Sequence, residues 1–196
     1  MTPEELGAAL VEAIGEATTG GAGDEAVAAS VSGGGRWARA TVDVPVTDWR
    51  AAVATARDGF GCDFFDWLSA VDEGDRGFAV VAHLWSTERR HGVLLRTLTP
   101  GAVDSIVDLF PGAAWHERET HEMFGVDFPG HPGLTPLLLP AEFEGHPLRK
   151  DFVLASRVAK PWPGAKEPGE SHDATVAKRQ PMRPPGVPAP GEWGGN

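Results

Sequence analysis

The sequence predicts an α+β fold: one domain with a mostly antiparallel or mixed β-sheet covered by helices, followed by an extended Pro/Gly-rich C-terminal arm. Three observations predict it. Period-two hydrophobic segments recur between residues 36 and 100, which is strand spacing. Two stretches, one before and one among them, carry apolar residues at helical spacing. Beyond residue 152 the periodicity stops, and eight prolines and six glycines stand among the last 44 residues. Such a composition cannot bury a core of its own. The expected organisation is therefore 1–35 as an N-terminal helix and Gly-rich connection, 36–152 as the α+β domain, and 153–196 as the arm. The arm is expected to order on a partner around Trp162, which sits between Pro161 and Pro163, and to be disordered beyond about residue 175.

The elements follow in chain order. Over 3–17, Leu6, Leu10, Ala13 and Ile14 form a stripe, with Thr2 as N-cap, Pro3 at N1 and Glu5 at N3. Residues 18–35 hold six glycines and read as a flexible connection. Within them GAGDEA matches a dinucleotide fingerprint only in its letters, because no strand precedes it. RWARATVDVPV alternates and predicts a strand; Thr47 is expected to cap the helix TDWRAAVATARD, ending at Gly59. FGCDFFDWLSAVDE, FAVVAHLWS and GVLLRTLT predict three more strands, separated by DEGDRG and TERRH turns. Pro100 and Gly101 introduce an expected short helix, AVDSIVDLF, closed by Pro111-Gly112.

Composition excludes several functions. A formal charge of −11 argues against nucleic-acid binding or an anionic membrane surface. The arm carries six Lys/Arg against four Asp/Glu, so the acidity resides in the first 152 residues. A single cysteine, Cys62, excludes an internal disulfide and a CxxC metal knuckle, and reads as a buried strand residue. The acidic N-terminal stretch lacks the features of a secretory signal. No apolar run approaches the roughly 20 residues of a membrane span.

The chemistry concentrates in WHERETHEMFGVDFPGHPGL, residues 115–134. A zincin needs histidines four apart on one helical face. His116 and His121 are five apart, which turns them roughly 140° around a helix. His131 and His146 stand in Gly-His-Pro triplets, where the proline disfavours helix and the ring usually serves a turn. A stand-alone histidine-based metalloenzyme thus finds little support in the spacing. Glu117, Arg118 and Glu119 point in different directions around a helix, with Arg118 facing Glu122 and Glu117 facing His121 at i+4. Trp115, Met123 and Phe124 supply apolar anchors, and Gly125 ends the helix. That combination reads as a partner surface.

ERETHEMFG, then GHPGL, then FEGHPLRKDF, resembles the signature of the C-type (30 kDa) subunit of proton-pumping NADH–quinone oxidoreductase, respiratory complex I. The resemblance is close over 112–152 and falls on Glu117, Arg118, Glu119, Glu122, Met123, Phe124, His131, His146 and Leu148 to Phe152, including Arg149 and Lys150. It departs at Gly133, Thr135 and Pro136, where the family usually has an aspartate and two arginines. The resemblance implies a component of the hydrophilic arm with no cofactor of its own, the iron–sulfur clusters and FMN lying in partner subunits. It implies packing against the D-type subunit of complex I and near the B-type and I-type subunits. Contact with quinone would come only through the complex, and the chain would sit peripherally on the cytoplasmic side of the cell membrane. The reaction, NADH to quinone, would belong to the complex, with this chain as scaffold. The equivalent subunit of a membrane-bound hydrogenase or formate hydrogenlyase shares the domain and is the alternative. If Arg118 is buried between Glu119 or Glu122 and a partner, its removal strands a carboxylate, at about 3–5 kcal/mol.

Overall fold

In the computed structural model, residues 1–18 and 26–153 are described. Helix α1 spans Pro3–Ala17. The predicted capping box is in place: Thr2 Oγ1 accepts from the Glu5 N–H, and Glu5 Oε2 accepts from the Thr2 N–H at 2.9 Å. Leu6, Leu10 and Ile14 are fully buried, so the stripe faces the core. Each contributes roughly 1.5–3 kcal/mol of burial. Gly7 lets the helix come close to the sheet, since a Cβ there would lie 3.1 Å from Ala29 Cβ.

Strand β1, Ala28–Ser32, comes next, inside the stretch expected to be a flexible connection. It pairs antiparallel with β2, Arg39–Asp43, in the register Ala28↔Asp43 to Ser32↔Arg39. The glycines that suggested flexibility flank it: 20, 21 and 23 lie outside the described residues, and 33 to 35 form the turn. Helix α2 spans Trp49–Phe60. Thr47 does not cap it; a 3₁₀ turn over Val46–Asp48 feeds the helix, and the Thr47 hydroxyl bonds Asp48 instead. The helix ends at Gly61 rather than Gly59, in left-handed conformation at φ 67°.

Strands β3 (Phe64–Asp72), β4 (Phe78–Ser86) and β5 (His91–Thr99) form an antiparallel meander. Cys62 is buried as expected, but in the turn before β3 rather than in a strand, and burial pushes its thiol up to about 11. The five strands lie in the order β1-β2-β5-β4-β3. Because α2 carries the chain across to the far edge, the meander returns to place β5 beside β2 in parallel register, Ala40↔Val93 to Asp43↔Arg96. The sheet is therefore mixed. Its inner face (Val42, Leu68, Val80, Leu84, Val93, Leu95) packs with the α1 stripe and with Trp49, Ala52, Val53 and Ala56 of α2.

The predicted helix over 102–110 is absent. Val103 N–H donates to Asp127 O and Ser105 N–H to Pro129 O, while Asp127 N–H donates to Gly101 O. The segment's backbone is thus committed to pairing with 127–129, and only one turn forms, where Leu109 and Phe110 N–H donate to Ile106 O. Helix α3 spans Ala113–Phe124 and ends at Gly125, φ 75°, as its sequence predicts. It lies along β3, the edge strand. His116 Nδ1 lies 3.2 Å from Leu68 O and covers part of that edge.

Candidate functional site

Three faces of α3 perform three tasks. The inward face carries Glu117, which is completely buried. It does not pair with His121. Its carboxylate accepts from the Ser105 hydroxyl at 2.6 Å and from the Ile106 N–H at 2.8 Å, anchoring the 101–110 segment. Burial pushes its carboxyl above the ordinary value, against the pull of those two donors.

The second face carries Arg118 and Glu122, and it organises the loop that follows. Arg118 donates to Thr135 O at 2.9 Å and Pro136 O at 2.7 Å. Glu122 accepts from three consecutive amides, Leu137 at 3.2 Å, Leu138 at 2.8 Å and Leu139 at 2.9 Å. Three successive N–H groups around one carboxylate form an anion nest supplied by the loop itself. Partial burial works against the charge, but those amides and nearby Arg118 together hold the Glu122 carboxyl below its ordinary value. The expected Arg118–Glu122 pairing is thus replaced by two side chains gripping the same loop, one by its carbonyls and one by its amides.

The histidines act as backbone staples. His131 Nε2 donates to Ala114 O at 3.1 Å while its Nδ1 accepts from Gly133 N–H at 2.9 Å, which fixes one neutral tautomer. His121 Nδ1 donates to Val126 O at 3.0 Å, and His146 Nδ1 to Glu122 O at 2.9 Å. Among the described residues no group of three His, Cys, Asp or Glu side chains is placed to hold a metal ion. Arg149 donates to Phe124 O and stacks over Phe78 at 5.1 Å, and the Lys150 N–H donates to Asp72. A Cβ at Gly125 would come within 2.6 Å of His146 Nε2 and 2.8 Å of Arg149 Nη2, so these side chains close directly over the helix end. Phe124 is buried against Phe78 and belongs to the core rather than to a partner surface.

The third face is outward. Glu119 is exposed, as are Trp115 (64%), Leu138 (58%) and Leu148 (55%), and the Lys150 side chain projects from the same loop system. Trp162 lies outside the described residues.

These elements make up a shared architecture. A model of the family described as respiratory-chain NADH dehydrogenase, 30 Kd subunit, matches residues 42–158, from β2 to beyond the last described residue. The chain belongs to that family. The C subunit of NADH-quinone oxidoreductase from Methylobacterium radiotolerans is 36% identical over 163 residues, covering 80% of this chain and 74% of that protein. Its Thiobacillus denitrificans counterpart is 43% identical over 102 residues, 50% of each chain. Pseudomonas fluorescens carries a fused C/D subunit that is 46% identical over 78 residues, 38% of this chain and 13% of that longer protein. In fold, the chain is similar to one chain of the membrane-bound sulfane sulfur reductase, an archaeal respiratory membrane complex. That likeness has a TM-score of 0.59 at 21% identity, over 82% of this chain and 97% of the other. Among the described residues of this 30 kDa-family member, no helix is long and apolar enough to cross a membrane.

Proposed function

We propose that this chain is the peripheral-arm C-type subunit of an NADH–quinone oxidoreductase complex, holding no cofactor and fixing the positions of the subunits that reduce quinone. One observation carries the proposal: large apolar side chains, Trp115, Leu138 and Leu148, stand exposed on a segment whose backbone is pinned by Arg118, Glu122, His131 and His146. A pinned backbone with exposed apolar groups loses little entropy on docking, which favours a permanent partner. The fused C/D relatives support the D-type subunit as that partner, because the two are synthesised there as one polypeptide. The B-type and I-type subunits are proposed as further neighbours, and attachment to the cytoplasmic side of the membrane is proposed to run through the assembled complex. The chemistry would then belong to FMN and iron–sulfur clusters held by partners.

The fold likeness to a sulfane sulfur reductase chain supports a second reading, in which the chain serves another membrane-bound complex such as a hydrogenase. Affinity capture of the tagged full chain from detergent-solubilised native membranes separates the two. Recovery of NADH-oxidising, iron–sulfur and D-type subunits is the expected result. Recovery of a nickel–iron hydrogenase subunit instead would replace the proposal with the second reading. A chain recovered alone and carrying stoichiometric metal would overturn both and restore the histidine metalloenzyme.

A further inference from the structure

Away from α3, three arginines from two parts of the sequence line one cavity of about 260 Å³ with His91 and Trp85: Arg36 and Arg39 before and at the start of β2, and Arg90 before β5. No Asp or Glu lines it, in a chain of net charge −11. None of the three arginines makes a salt bridge within the described residues, whereas Arg50, Arg57, Arg76 and Arg96 all do. Two of the guanidinium groups are held in place without being neutralised. Arg39 lies 4.9 Å from the Trp85 ring centroid and donates to Ala38 O at 2.9 Å, and Arg36 lies 4.8 Å from the Trp37 ring. Arg90 is the only non-glycine residue with positive φ among the described residues, at 53°, in the turn leading into β5. The buried His91 ring bonds Phe60 O through Nε2 at 3.0 Å, and its Nδ1 has no partner within the described residues.

Three cations lining one cavity with no carboxylate among its lining residues make it a favourable place for an anion. We propose that this cavity is a binding site for a phosphate group, either a free phosphate ester or the phosphate of a lipid headgroup. Guanidinium forks match phosphate oxygens bidentately, and three of them suit a ligand with more than one negative charge. The volume exceeds that of a bare ion. It leaves space for part of the organic group beside the phosphate.

The test uses the full chain. Inorganic phosphate is titrated by calorimetry at constant ionic strength, and flotation is measured with phosphatidylcholine vesicles with and without phosphatidic acid. Arg90→Asn removes the charge while keeping a residue that tolerates positive φ, and Arg36→Gln is an independent second variant; unchanged melting temperatures establish that both are folded. Saturable phosphate binding weakened about tenfold or more by either variant supports the site with a soluble ligand, tenfold being the scale of one lost charge-assisted hydrogen bond. Flotation that requires phosphatidic acid and is lost in the variants supports the lipid source. Neither response from the wild-type chain, or responses unchanged in both variants, overturns the proposal. So does tighter binding of a polyglutamate peptide than of any phosphate, which would make the cavity a socket for an acidic protein segment.

Discussion

The two arginine groups of this molecule invite comparison. Arg118 and Arg149, around α3, sit in the sequence that resembles a functional signature, yet they are committed to the chain's own carbonyls. Arg36, Arg39 and Arg90 sit in or beside ordinary turns and bear no carboxylate within the described residues. A dense run of charged residues can therefore be architecture, with Glu117, Arg118, Glu122 and the histidines each replacing a hydrogen bond that an irregular loop could not make with itself. The turns at 36–39 and at 90 gather three guanidinium groups with no carboxylate lining their cavity, and these are the charges left available to a ligand.

Five substitutions would break or sharpen that contrast. The largest effect is expected from Glu117→Ala, which leaves the Ser105 hydroxyl and Ile106 N–H buried without an acceptor and opens a cavity. A loss of about 3 kcal/mol or more in urea denaturation is predicted; a change below about 0.5 kcal/mol would make Glu117 an ordinary surface charge in energetic terms. Gly125→Ala forces a Cβ into left-handed backbone and against His146 and Arg149. It should cost about 1–2 kcal/mol from backbone strain, read from the same denaturation midpoints. If stability is unchanged, the loop does not close tightly over the helix end.

Arg118→Ala should cost less, about 1 kcal/mol, because its partners are neutral carbonyls on an exposed loop rather than a stranded carboxylate. The larger cost of about 3–5 kcal/mol belongs to an Arg118 buried against a partner and is read on the assembled complex rather than on the free chain. A loss of about 3 kcal/mol in the free chain would reinstate an ion pair within it.

The smallest effects are in pH dependence, and the two glutamates have opposite signs. Glu122, held below its ordinary value, stabilises the fold above the unfolded carboxylate range and loses that contribution as pH falls through its folded pKa. Glu117, pushed above its ordinary value, favours the fold in acid and loses that contribution as pH rises through its folded pKa. Glu122→Gln should therefore flatten the acid side of the stability profile, and Glu117→Gln the decline on its other side. Parallel shifts in both variants would contradict the assignment.

How far the sequence could be read depends on how local each determinant is. The α1 capping box, the β4 and β5 alternation and the stop at Gly125 are set by neighbours within a few residues, and each stands as read. Strand β1 escaped because AASVS has no alternation; as an exposed edge strand it is specified by its register with β2. The segment 102–110 looked helical, but its backbone partners at 127–129 lie about one helix further along the chain. The parallel β2–β5 pairing follows from the crossover through α2, which no local pattern encodes. Within the site, the Gly-His-Pro histidines were legible as turn residues because proline restricts them, but the reach of their rings to Ala114 O and Glu122 O on α3 was not. The partners of Glu117, Arg118 and Glu122 were not, since helical spacing offered nearer ones and the loop's unsatisfied backbone groups prevailed. The arginine cavity draws on residues more than fifty positions apart in the chain and left no local signal.

The central claim, that the charged signature on α3 builds a rigid loop, is tested most directly by amide hydrogen exchange at Leu137, Leu138 and Leu139. In the wild-type chain these three amides are predicted to exchange slowly despite lying near the surface, and in Glu122→Gln to exchange faster as a group while β4 and β5 keep their protection. Fast exchange of all three in the wild type would contradict the claim, since the carboxylate would then not be holding the loop.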